Sequence, residues 1–231
     1  MVEKMKKEEF LGISKDLSEA FKNISRIWDG RKAILEMKDA NFPHWKQMEW
    51  IGWYFQFLCE NLLRNKIQIP GPKFGNVSFD GFKEIPWDFK AHAINTSSHQ
   101  IIVNDSEATS KAIKKFGCVG LILAMGEVKY NDDERTFQKW HEELKGGKSN
   151  YEIERIKRGA WSRLRKVEFN LKQISFIKID DDVLIKCGSF QRDFRNADGT
   201  PRREKVLLDL EQLDEEIIFF LDFNSKQKKL K

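Results

Sequence analysis

Apolar positions along the chain change their period several times, and each change predicts an element. Over residues 3–38 they recur at helical spacing among mixed charges, with Ser14 or Ser18 able to cap a turn. After Asn41-Phe42-Pro43, the run 45–65 (WKQMEWIGWYFQFLCENLLRN) reads as the strongest apolar helix, ended by Gly and Pro at 70–75. The pattern then tightens into strands near 76–80 and 85–94, a polar loop at 95–100 and a short strand at 101–103. Ser106 followed by Glu107 predicts the N-cap and first turn of a helix over 107–115. A buried strand over 118–130 follows, and 132–145 is helical again. Beyond it the pattern predicts a helix over 150–166 with a basic end and strands at 167–179 and 183–189. A hairpin-like loop follows, with turn residues Asn196-Ala197-Asp198-Gly199 and Pro201 preventing onward pairing. A strand at 205–210 and an acidic helix or strand at 211–223 precede a lysine-rich tail expected to be disordered. The succession helix, two or three strands, helix, strand predicts an α/β (α+β) fold on a mixed sheet.

The two strands around residue 80 carry the most telling chemistry. Side chains alternate along a strand, so Asp88 and Lys90 share a face while Phe89 turns into the core. Asp80, on the neighbouring strand, comes within reach of Asp88. Two carboxylates and an ammonium on one rigid face suit a hard divalent cation, with Lys90 placed to touch a reacting phosphate or water. The same acid-x-Lys spacing occurs at Glu36-Met37-Lys38, Glu127-Val128-Lys129 and Glu143-Leu144-Lys145. Glu36 and Glu143 lie in charged helical segments and read as solvated. Glu127 ends an apolar run, so Asp105, Glu127 and Lys129 form a rival set. A surface hairpin with a salt-bridged lysine is the plain structural alternative.

On Asp80, Asp88, Phe89 and Lys90 the chain resembles the PD-(D/E)xK nuclease superfamily, and within it the small type II restriction endonucleases. Phe79 stands where that family often has Pro, and only seven residues separate Asp80 from Asp88. The resemblance implies a restriction-endonuclease-like αβββαβ core, with N-terminal helices and a C-terminal basic β region added. It makes Asp80 and Asp88 ligands of Mg²⁺, with Mn²⁺ able to substitute, and the Phe89 carbonyl would complete the protein's share of the shell. It makes Lys90 the residue that orients or activates water and stabilises the pentavalent phosphate. Such nucleases often carry a further acid on the preceding helix. Gln56 occupies the matching position, Glu60 follows one turn later and Glu49 lies further back, so Glu60 is the candidate, against its pairing with Arg64.

At 231 residues and 40% hydrophobic, the chain can bury one substantial core. The expectation is one nuclease domain over 1–231, with a helical part at 1–66, a catalytic core at 76–130 and a DNA-recognition part at 150–210. The net charge of +5 suits an anionic partner, and the positive charge gathers after residue 150. Gln191, Arg192, Arg195, Asn196, Arg202 and Arg203 suit readout of base edges in the major groove. Arg158, Arg163, Arg165 and Lys166 suit phosphate contacts. Met48 could wedge into a base step with Gln47 reading beside it, although core packing of Met48 is the commoner arrangement. Cys59, Cys118 and Cys187 are spaced like reduced core thiols, and no segment has the length of a membrane span or the form of a signal peptide. The expected partner is double-stranded DNA, bound by a cytoplasmic homodimer that cuts both strands of a short, GC-containing palindrome, with no membrane and no small-molecule cofactor beyond the metal. The rival readings are a structure-selective repair or recombination nuclease (Holliday-junction-resolvase-like) and a non-catalytic DNA-binding module.

Overall fold

The computed structural model describes residues 5–130, 134–160, 164–191, 200–215 and 218–223. In chain order these form α1 (Lys7–Ser18), a 3₁₀ turn (Glu19–Phe21), β1 (Ile27–Asp29), α2 (Gly30–Asp39) and α3 (Trp50–Leu63). Then come β2 (Lys73–Phe74), β3 (Val77–Ser78), β4 (Gly81–Lys83), β5 (Ile85–Ala93), β6 (Gln100–Asp105), α4 (Ser106–Phe116) and β7 (Val119–Tyr130). The remainder is α5 (Thr136–Leu144), α6 (Asn150–Lys157), β8 (Lys166–Ile179), α7 (Asp181–Cys187), β9 (Gly188–Gln191), β10 (Lys205–Asp209), a 3₁₀ turn (Leu210–Gln212) and β11 (Ile218–Asp222). The main sheet runs β1-β8-β7-β5-β4, with β11 also on β8. It is mixed, because β5 and β7 are parallel and joined through α4 whereas the other pairs are antiparallel. Between α3 and α4 lie five strands: β2 and β3 form a small sheet of their own, and with them set aside α3, β4, β5, β6, α4 and β7 follow the expected αβββαβ order, although β6 leaves the main sheet to pair with β10 in a second sheet, β6-β10-β9.

Alternation along the central strands divides the core between the two faces. Trp87, Phe89, Ile122 and Phe176 point to one face, where they pack with α1, α2 and α3. Leu121, Leu123, Ile177 and Ile179 point to the other, under α4, α7, β6 and β10. A bulge at Lys172, where Met125 pairs with Gln173 but Gly126 with Leu171, shifts β8 by one residue. That shift keeps Phe169 and Leu171 on the same face as Ile174 and Phe176. Gly120 lies beside Trp87 in the β5–β7 ladder, and a Cβ there would stand 2.3 Å from the Trp87 ring. The bare backbone at Gly120 therefore lets the indole lie flat against β7 and fixes the strand that carries Asp88.

Several expected elements change in identity or length. The helical pattern over 3–38 is interrupted because Ile27, Trp28 and Asp29 pair with Asn170, Phe169 and Glu168 of β8. The helix expected from residue 45 starts at Trp50, since the Trp45 carbonyl faces the His141 ring instead of a following amide. Asp105 caps α4 by accepting from the Ala108 N–H at 3.0 Å, so the cap lies one residue before Ser106. The strand expected at 183–189 is mostly α7. Asp180 accepts from the Val183 N–H, and Asp181 and Asp182 occupy the first turn, contributions of about 1 kcal/mol that outweigh the β-branched Val183 and Ile185. The helix expected over 150–166 ends at Lys157, and residues 211–223 divide into a 3₁₀ turn and β11. The turn Asn196-Ala197-Asp198-Gly199 and the lysine-rich tail lie outside the described residues.

Candidate active site

β4 pairs with β5 over only three residues, Gly81 to Lys83 against Trp87 to Ile85. A single residue, Glu84, closes the turn with a positive φ of 60°. This tight hairpin is what a gap of seven residues between the two acids allows. Beyond Trp87 the outer edge of β5 has no paired strand among the described residues, and Asp80, just before β4, covers it by accepting from the Phe89 N–H at 2.7 Å. A residue's N–H and C=O point to the same side of a strand, so the Phe89 carbonyl lies on this edge as well. The Phe89 ring is buried among the α1–α3 side chains. Asp88 and Lys90 face the second sheet, and the Lys90 ammonium lies 3.7 Å from Asp80 and 3.9 Å from Asp88.

Asp88 is 2% exposed. Its Oδ1 accepts from the Asn104 amide at 3.1 Å, while its Oδ2 is buried with no hydrogen-bond partner among the described residues. Burial pushes the Asp88 carboxyl up to about 6 against the pull of Lys90, and Asp80 adds to the rise. Lys90 is also opposed by burial, but Asp88 and Asp80 outweigh it and hold the ammonium above its ordinary pKa. A buried carboxylate oxygen without a partner is unfavourable by about 1–3 kcal/mol or more. A divalent cation would satisfy it, and the oxygen donors here suit Mg²⁺. Among the described residues no three His, Cys, Asp or Glu side chains cluster to hold a metal. A cation at this edge would therefore rest on Asp80, Asp88, the Phe89 carbonyl and water.

The edge opens into a cleft of about 760 Å³ lined by Asp80, Phe89, Lys90 and His92, by Glu49, Trp53 and Gln56 at the α3 side, and by Lys166 and Lys205 opposite. Glu60 lies behind Gln56, whose amide donates to it at 3.0 Å. Burial raises the Glu60 carboxyl against that hydrogen bond, and Asp80 raises it further. Gln56 thus stands between Glu60 and the cleft. Glu49 pairs with Lys166 at 2.9 Å, and His44 stacks on Trp53 at 3.8 Å. In the rival set, Asp105 is buried as the α4 cap, Glu127 is half exposed and pairs with Lys172 at 2.9 Å, and Lys129 is exposed.

A second cleft of about 570 Å³ is lined by Lys46, Gln47, Met48, Lys145, Lys148, Glu152, Arg155 and Arg165. Gln47 is exposed, and Met48 is half-buried on this wall rather than part of the core. Arg165 is buried and pairs with Glu152 at 3.3 Å. Arg158 is exposed on the helix end, donating to the Glu154 carbonyl. Gln191 ends β9 opposite Lys205. Arg202 and Arg203 are exposed, and Arg203 lies 3.9 Å from Asp105. Arg163, Arg192, Arg195 and Asn196 lie outside the described residues.

Sequence reasoning missed Asn104, Lys205 and His92. Lys205 reaches the cleft, and Asn104 the Asp88 carboxylate, from the β6–β10 pair, a pairing that local pattern does not reveal. His92 was accessible, because it continues the Asp88–Lys90 face by one more step of two. All three cysteines are buried and free. Among the described residues no helix is long and apolar enough to cross a membrane.

No protein-family model matches the sequence, and no curated protein does. Among solved structures, the chain is similar to the restriction endonuclease BglI bound to its DNA recognition sequence, at 10% identity. The match covers 95% of this chain and 90% of that one, with a TM-score of 0.46.

Proposed function

We propose that the chain is a Mg²⁺-dependent, sequence-specific endonuclease that hydrolyses phosphodiester bonds in both strands of double-stranded DNA. The observation that carries this reading is the buried Asp88 carboxylate, one oxygen of which lacks a hydrogen-bond partner among the described residues, beside Lys90, which lies between it and Asp80 on the wall of a lysine-rimmed cleft. In this reading Asp80, Asp88 and the Phe89 carbonyl hold the cation, with Mn²⁺ able to substitute. The bound ion supplies charge neutralisation at the phosphate and a lowered pKa for water. Asn104 holds Asp88 in one orientation, and Asp80 fixes the β5 edge through the Phe89 N–H. Lys90, flanked by two carboxylates, acts as a fixed cation toward the phosphate and orients the attacking water. Glu60 acts through Gln56, the group that lines the cleft.

The whole chain serves as one nuclease domain. Two copies related by a two-fold axis engage a short palindrome, because one centre per chain must cut two antiparallel strands. The arginines of the 192–204 segment suit guanine edges, hence a GC-containing site such as CGCG. The test is to incubate the purified protein with genomic DNA and Mg²⁺ and to sequence the fragment ends. A recurrent short palindrome at the ends is the expected result. Intact DNA with every divalent metal tried would remove the nuclease reading.

A further inference from the structure

Lys205 opens β10, opposite Asp105 of β6 and Gln191 of β9. Between Lys205 and Leu207 the β10–β6 register slips, since Lys205 pairs with Asp105 but Leu207 with Ile102. The extra residue falls on β6 beside Asn104, and such a bulge re-aims a side chain. Asn104 is the residue that donates to Asp88, while its own carbonyl accepts from the Asp105 N–H at 2.8 Å. The foot of β10 is therefore joined to the Asp88 carboxylate through two adjacent residues of β6. The Ser106 N–H, which donates to the Glu204 carbonyl at 3.0 Å, and Arg203 near Asp105 hold the approach to β10 in place.

The Lys205 side chain lines the same cleft as Asp80 and Lys90. The other rim cations have partners there: Lys90 lies between Asp80 and Asp88, and Lys166 pairs with Glu49. Lys205 is half-buried and makes no ion pair within 4 Å among the described residues, although its charge reaches Asp88 and lowers that carboxyl's pKa. An anion entering the cleft would meet this charge without first having to break an ion pair of the protein.

Resting on the nuclease reading above, we propose that Lys205 is a second phosphate-contacting lysine of this cleft, a catalytic residue brought to the scissile phosphate by the strand that follows the arginine-rich segment. In the hydrolysis, the water oxygen bonds to phosphorus as the bond to the departing sugar oxygen breaks. One water proton passes to bulk solvent, and the departing oxygen takes one from it. Lys205 transfers no proton; its charge opposes the negative charge that builds on the non-bridging oxygens. Lys90 and Lys205, from different strands, would then grip one phosphate from two directions.

The test uses full-length wild-type, Lys205→Gln and Lys205→Arg proteins on a duplex containing the cut site found by fragment-end sequencing. At saturating protein, single-turnover cleavage by Lys205→Gln should fall by about 10²–10³-fold, and Lys205→Arg should recover to within about tenfold of wild type. Metal-free binding to a random duplex should lose about one unit of log–log salt slope in Lys205→Gln, with melting unchanged. Wild-type rates and salt slope in the Gln variant would overturn the proposal. So would slow cleavage with an unchanged slope and no rescue by Arg, which marks a role confined to the fold. Should wild type cut no DNA, the nuclease reading fails by itself, and the salt slope still decides whether Lys205 meets a phosphate.

Discussion

On one side, the segment 44–49 lines the cleft of Lys90 and Lys205, beside which Asp88 has a buried oxygen without a hydrogen-bond partner and in which Lys205 has no ion pair within 4 Å, both among the described residues. On the other side it lines the cleft of Lys46, Lys145, Lys148 and Arg165, where charges meet counter-charges within the protein. There Arg165 holds Glu152 at 3.3 Å and Lys148 holds Glu142 at 2.5 Å, while the Gln138 amide bridges Glu142 and Glu152 at 2.8 Å each. Both concavities are rich in cations, so composition does not separate them. Satisfaction does. Groups that remain unsatisfied while buried weaken the fold and are poised for a ligand, whereas an ion-paired network stabilises the fold and resists a ligand that must break it.

The largest effect should come from removing the unsatisfied group. Asp88→Asn should slow cleavage at least about a thousandfold, some 4 kcal/mol of barrier. Melting should hold steady or rise, because a buried charge is removed and an amide of the same shape remains. Chemical denaturation and single-turnover cleavage on one preparation check both halves. A destabilised but active Asp88→Asn protein would place Asp88 with the structural ion pairs and erase the contrast.

The second cleft should respond in the opposite sense. Arg165→Met takes the guanidinium away from the buried Glu152 carboxylate and should lower stability by about 3–5 kcal/mol. Cleavage per folded molecule should change little. A variant with wild-type melting and a salt slope shallower by about one unit would instead make Arg165 a phosphate contact, as its sequence context first suggests.

A smaller, pH-dependent effect comes from His141, which is 3% exposed beneath this network. Burial holds its pKa down at about 4, with Lys145 and Arg165 adding to the depression against Glu142 and the Trp45 carbonyl, where the ordinary value is 6.5. The unfolded chain therefore takes up a proton that the folded one refuses. Stability from this group is fully present above pH 6.5 and is lost as pH falls toward 4, by about 2–3 kcal/mol. His141→Gln should flatten that part of the curve of unfolding free energy against pH. An unchanged slope would mean that other groups carry the acid sensitivity.

The contrast between the clefts was only half visible in the sequence. Period and apolar runs identify β5, β7 and β8 because buried central strands are specified by their own residues. They also place Asp88 and Lys90 on one face, since alternation is a local property. What local pattern does not contain is partnership. Asn104 and Lys205 are a hundred residues apart and meet through the β6–β10 ladder, while Arg165 finds Glu152 only after the chain has turned back. The same limit explains α7. Val183, Leu184 and Ile185 look like strand residues until Asp180 captures the Val183 amide and Gly188 begins β9.

The smallest stability effect belongs to Met48, and it sharpens the comparison because Met48 sits on the wall of the self-satisfied cleft. A fully buried methionine truncated to alanine loses about 2–5 kcal/mol. Met48 is half exposed and outside the core clusters, so Met48→Ala should cost about 0.5–1 kcal/mol of folding free energy. If the side chain enters a base step, unstacking costs a few kcal/mol that the distorted duplex must return in contacts. A duplex already unstacked by a mismatch at that step should then bind wild type more tightly than the intact cut site, and Met48→Ala should lose most of that preference. Affinities of both proteins for both duplexes, measured without metal, give the answer as a coupling energy. A mismatch preference that survives in Met48→Ala would leave the side chain as part of the cleft wall, with Gln47 and Lys46 as the only groups of this segment that face the DNA.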